Sequence, residues 1–178
     1  MFFPRLSSLT DPLEGFLSRP TVEMIKSMPD DITPEEQRRR EEIANHNLSV
    51  MRLGRDILFV SSWHLSPYES AAMWKLYLRS GEGVAIQSTV QRMMEAFRET
   101  PEAVYLGMVK YVDYDKEQIP WDNTFYLALH KRRSFEHERE IRAIVMRPEI
   151  IEGITVPVNV DTLIELVYVA PRFADLDS

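Results

Sequence analysis

Cysteine is absent from this 178-residue chain, which excludes disulfides, thiolate zinc sites and a cysteine nucleophile together. Glycine is scarce, at six residues, and neither GxGxxG nor GKS/T occurs, so there is no glycine-rich loop to cradle a nucleotide phosphate. The serine hydrolase elbow GxSxG is missing as well. His46, His64, His130 and His137 show neither HxH nor HxxxH spacing, and Asp113-Tyr114-Asp115 alone is too common a pattern to mark a metal site. No apolar run is long enough to span a bilayer, and the opening MFFPRLSSLTDP has neither the basic start nor the sustained apolar stretch of a signal peptide. The expected address is the cytoplasm, with no membrane partner. A formal net charge of −7 disfavours a broad nucleic-acid surface, because such affinity comes from Lys and Arg neutralising phosphates. Repeats, low-complexity tracts and Gly/Ser linkers are also lacking, so one domain over residues 1–178 is the simplest division.

What is present suffices for a core: 44% of residues are hydrophobic, with eight Phe, seven Tyr and three Trp. The clearest helix begins at TPEEQRRREEIANHNLSVMRLGRD. Thr33 suits the N-cap, Pro34 the first helical position and Glu36 a capping box, while Gly54 offers a left-handed terminator. Its first half is nearly all charge, so those turns are expected to project into solvent and only the second half to pack. DILFVSSW reads as a strand. Ser66-Pro67-Tyr68-Glu69 repeats the cap, proline and capping-box grammar, predicting a substantially buried helix to about Arg79 that Gly81 and Gly83 break. VAIQ reads as a buried strand, and Ser88 with Gln91 as a third capping box opening a helix over VQRMMEAFRE. AVYLGMVKYV is strand-like, Asn123 can cap a helix over TFYLALHKRR, and EIRAIVM, ITVPV and IELVYVA are further strand candidates. Helices come mostly early and strands mostly late, yet they interleave. The expectation is an α+β fold with a mixed or antiparallel sheet of about five to seven strands and three to four helices.

Two stretches could carry chemistry. In SSWHLSPYESAAMWKLY, Trp63 and His64 end a strand just before the helix that bears Glu69, Trp74 and Tyr77. The plain account makes Glu69 a capping-box acid and the aromatics core; the functional account has them border a pocket. In KRRSFEHEREIRAIVM, an extended chain places Glu136, Glu138, Glu140 and Arg142 on one face and Phe135, His137, Arg139 and Ile141 on the other. Carboxylates so crowded repel unless cations such as Lys131, Arg132, Arg133 and Arg142 attend them. One there could act as a general base or stabilise a cationic transition state.

Asp11-Pro12-Leu13-Glu14-Gly15, then Glu69-Ser70 with Met73-Trp74 and Tyr77, then Gly83-Val84-Ala85-Ile86 occur in that order. Tyr111-Val112-Asp113 follows, then Lys131-Arg132 with Phe135, Glu138, Glu140 and Arg142, and finally Ala170-Pro171. In this series the chain resembles the mainly bacterial family called domain of unknown function (DUF) 2971. The resemblance implies a single α+β domain and carries no established activity. Relatives usually have an extra segment before the position of Phe2-Phe3 and another helix after Ala170-Pro171, so the chain is expected to be a shortened member or a fragment.

Two functional readings are carried forward. In the first, the chain is a small enzyme or toxin-like effector, similar in outline to ADP-ribosyltransferases. Glu138-Arg139-Glu140 enters a strand and Ser61-Ser62 ends another; Glu140 would stabilise an oxocarbenium-like ribose, with His64 or Tyr77 orienting NAD. Glu138, Glu140 and His64 are its catalytic candidates; Trp63, Glu69, Trp74, Tyr77, Lys131 and Arg142 are its substrate-binding ones. In the second, the chain is a non-catalytic binding or structural module. Glu14, Glu69, Glu138 and Arg142 form an ion network and the charged helix 34 to 45 docks a partner. The sequence names no metal ligand set, cofactor, partner or oligomeric state.

Overall fold

In the computed structural model, which describes residues 1–78 and 82–170, the strongest local signal is realised in full. Thr33 Oγ1 accepts from Glu36 N at 3.3 Å, the Glu36 carboxylate accepts from Thr33 N at 2.9 Å, and Pro34 takes the first helical position. In chain order the elements are β1 Phe2–Pro4, α1 Arg19–Lys26, α2 Pro34–Ile57, β2 Leu58–His64, α3 Ala71–Tyr77, β3 Val84–Gln87, α4 Val90–Ala96, β4 Tyr105–Met108, β5 Lys110–Val112, α5 Tyr126–Leu129, β6 His130–Arg132, β7 Glu140–Met146, β8 Gly153–Thr155, α6 Val160–Leu163 and β9 Leu166–Val169. Short 3-10 turns cover Leu6–Ser8 and Arg133–Glu138. The fold is α+β, with antiparallel pairing throughout the described residues except between β5 and β6. Arg79, Gly81 and Pro171 lie outside the described residues.

Internal contacts divide the chain into two compact units. The larger comprises Phe2–His64 and Ala103–Thr155. At its centre β7 lies between β2 and β4, paired with β2 from Leu58↔Met146 to His64↔Glu140. Every residue of β7 but Met146 is buried, so its apolar run fills the core, while Glu140 and Arg142 need polar partners within it. Leu6, Leu58, Val60, Leu127, Ala128 and Ile144 form one apolar cluster. α2 packs on α1 and α5 through its second half, and its residues from Pro34 to Ile43 are all exposed, as the charge pattern implies. Gly54 does not terminate this helix, which continues to Ile57. An added Cβ there would stand 2.8 Å from Leu127 Cδ1, so the glycine permits close packing inside the helix instead.

The smaller unit contains Met1, Leu65–Glu102 and the chain from Val156 onward. Here the repeated helix grammar misplaces one start and one cap. α3 begins after Ser70, whose Oγ accepts from Met73 N at 3.4 Å, while Ser66 makes only a local turn with Tyr68 N at 3.2 Å. Trp74 is its buried residue, and Leu76 and Tyr77 stand 55% and 69% exposed, so the expected substantial burial is not found. Thr89, not Ser88, caps α4 by accepting from Arg92 N at 3.1 Å; Ser88 Oγ donates to Leu163 O at 2.6 Å. β3 pairs with β9 alone among the described strands, and Val84 and Ile86 lie exposed rather than buried.

Candidate functional site

The mouth of β7 holds a buried ion cluster. The chain reaches it by a turn, not by the extended run expected: Arg133–Glu138 coils as a 3-10 turn, and Arg139 adopts a left-handed backbone at φ 42°. That residue reverses the chain so that Glu138 and Glu140 approach the same ammonium from neighbouring positions. Glu136, His137 and Arg139 are left exposed.

Lys131 on β6 is the hub. Its Nζ lies 2.5 Å from Glu138, 2.8 Å from Glu140 and 3.6 Å from Glu14. Arg142, 1% exposed, donates from Nε to Glu140 at 2.8 Å and from one terminal nitrogen to Glu14 at 2.7 Å and to Ala128 O at 2.8 Å. Beside them Arg132 grips Asp11 through two bonds of 2.7 and 3.2 Å. Phe135 covers the hub, its ring centroid 4.6 Å from Lys131 Nζ. The Glu140 amide donates to Tyr111 Oη at 2.8 Å. Gly15, at φ +72°, turns the chain directly after Glu14.

Electrostatics separate the two adjacent glutamates. Burial opposes ionisation of Glu140, but the Arg142 guanidinium beside it, helped by Lys131, holds its carboxyl well below the usual range. Glu138 is pushed up, by burial first and then by the neighbouring Glu140. Lys131 and Arg142 would lose charge to burial alone, and their carboxylate partners hold both firmly protonated. Three carboxylates, of Glu14, Glu138 and Glu140, thus face two cations, and of the two adjacent glutamates it is Glu138 that the cluster pushes toward its neutral form.

Of the residues proposed from sequence, Glu138, Glu140, Lys131 and Arg142 come together here. His64 borders them, its Nδ1 donating to the Glu138 carbonyl at 2.6 Å, which fixes the proton on Nδ1 and ties β2 to the turn. Trp63 turns to its own strand, its indole donating to Ser61 Oγ at 3.2 Å. Glu69, Trp74 and Tyr77 belong to the smaller unit, where the Trp74 indole donates to the Glu69 carboxylate. Glu69 therefore serves as an acceptor for the indole and not as a capping-box acid. Asp11 and Tyr111 were not singled out from the sequence as site residues. The acid pair Asp11 and Glu14, three apart in a stretch from Met1 to Ser18 whose one other charged side chain is Arg5, is the available signal.

Among the described residues no group of three or more His, Cys, Asp or Glu is arranged to hold a metal ion, and no helix is long and apolar enough to cross a membrane. Comparison with protein-family models, curated proteins and solved structures yields no match.

Proposed function

We propose that the chain is a DUF 2971-like, non-catalytic binding module of the bacterial cytoplasm, held by its Glu/Lys/Arg network and docking a partner through the charged helix 34 to 45. The observation that carries this reading is the commitment of Glu140. One of its oxygens faces Lys131 and the other Arg142, and its side chain is 5% exposed. A carboxylate that stabilises a ribosyl cation must meet substrate, and this one would have to abandon two buried ion pairs to do so. Buried, mutually satisfied charges fix a register and a turn instead. The partner-docking half of the proposal rests on α2, whose charged first turns are capped and exposed.

Incubation of NAD with the purified chain and with Glu140→Gln tests it. The expected result is no NAD consumption by either protein, and a lower urea midpoint for the variant. Turnover by the parent chain that a folded Glu140→Gln loses would overturn this proposal and install the transferase reading.

A further inference from the structure

We infer that the groove between α1 and α2 of the larger unit is a docking site for an acidic peptide segment that carries apolar side chains, an inference that rests on the binding-module reading above. Two hollows lie along these helices, of about 500 Å³ and 90 Å³. The same stripe of α2 walls both, through Arg39, Arg40, Ile43, Leu48, Met51 and Arg52, the three- and four-residue spacing of one helix face. Met24, Met28 and Trp121 line the larger hollow from the other side. The stripe from Glu36 to Arg52 rises about 24 Å, room for a segment of four turns rather than for a compact metabolite.

Charge selects the occupant. Lys26, Arg39, Arg40 and Arg52 line the two hollows against the single carboxylate of Glu36, in a chain whose net charge is −7. Among the described residues none of the four cations forms a salt bridge. Glu36 is already committed to Thr33. Lys131, Arg132, Arg133 and Arg142 of the same unit have carboxylate partners, whereas the groove gathers four cations around one carboxylate, with Glu35 and Glu42 reaching only Arg39 through a neighbouring hollow. An apolar wall rich in methionine and rimmed by arginine suits leucine-, isoleucine- or phenylalanine-bearing segments flanked by Asp and Glu. A nucleic acid would call for a continuous cationic track with stacking faces, whereas here the aromatic Trp121 stands among Ile43, Met24 and Met28 in a mainly aliphatic wall.

A displayed library of random peptides of about sixteen residues, selected on the intact chain, gives the test. The winners are synthesised and titrated by calorimetry against the chain, Arg39→Glu/Arg40→Glu and Ile43→Asp, with circular dichroism to verify that each variant is folded. Phosphatidylglycerol vesicles and a single-stranded oligothymidylate are titrated in parallel. The expected winners are net negative with interspersed large apolar residues, and each variant weakens them by about tenfold or more. An absence of winners, basic or wholly polar winners, or winners indifferent to both variants overturns the proposal. So does binding of the vesicles or the oligonucleotide that equals the peptides' and falls equally in Arg39→Glu/Arg40→Glu. Winners lost only in Glu35→Lys/Glu42→Lys, which line a neighbouring hollow of α2 that shares Arg39, would place the peptide outside the α1–α2 groove and overturn the proposal. NAD turnover would instead remove the non-catalytic reading without bearing on where peptides bind.

Discussion

Arg142 shows why a buried charge in a central strand demands a whole set of partners. Its guanidinium is shared among Glu140, Glu14 and the Ala128 carbonyl, so its removal leaves two buried carboxylates with Lys131 as their remaining cation and takes a donor from a buried carbonyl. Arg142→Met is therefore expected to lose about 3–5 kcal/mol of unfolding free energy, read from urea denaturation at neutral pH. A loss below about 1 kcal/mol, the scale of exposed pairs, would mean that water reaches this cluster. Arg139 presents the opposite case, because its side chain is exposed and its backbone carries the strain. At φ 42° and ψ 61° a side chain crowds the following carbonyl, and glycine does not. Arg139→Gly is expected to raise the unfolding free energy by about 0.5–1 kcal/mol, after the extra freedom that glycine gains in the unfolded chain is subtracted. A drop on the same measurement would assign the arginine side chain a stabilising contact that outweighs its backbone.

Among the elements, α2 joins a capped, solvated first half to a packed second half, and that division decides how it responds to damage. Thr33→Ala removes the acceptor for Glu36 N, worth about 1 kcal/mol. Because residues from Pro34 to Ile43 are exposed, the loss should appear as local fraying rather than global unfolding. Amide exchange in the first turns is expected to quicken about fivefold while the urea midpoint barely moves; an equal loss throughout the unit would show that these turns are packed in solution. This helix was legible in the sequence because its cap, proline and charge pattern are local. The second stretch with similar grammar was misread for a physical reason. Ser66 satisfies a turn at Tyr68, so the cap passes to Ser70, and Glu69 meets an indole that no spacing rule anticipates. The crowding of Glu138 and Glu140 around Lys131 was legible as a need for cations. The turn that achieves it was not, since alternation presumes an extended chain and a single left-handed residue cancels it.

On the scale of the whole molecule, a chain of net charge −7 keeps one surplus carboxylate inside its ion cluster, and acid should sort the two glutamates. Glu140 is more acidic folded than unfolded, so its contribution is complete above the ordinary glutamate range and disappears as pH falls through its depressed folded value. Glu138 is less acidic folded than unfolded, so its cost is absent below the ordinary range and grows as pH rises through its elevated folded value. Each glutamine substitution removes one of these dependences and leaves an acceptor of similar size. Glu138→Gln is thus expected to be more stable than the parent chain at neutral pH, with an advantage that shrinks as the solution is acidified through the carboxylate range. Glu140→Gln is expected to be less stable at neutral pH, with a deficit that narrows only in stronger acid. Urea midpoints of the three proteins across pH 3 to 8, about the span in which carboxylates titrate, should therefore diverge toward neutrality on opposite sides of the parent. Curves for Glu138→Gln that fall below the parent at neutral pH would mean that Lys131 needs the Glu138 carboxylate charged and that its pairing outweighs the cost of burial.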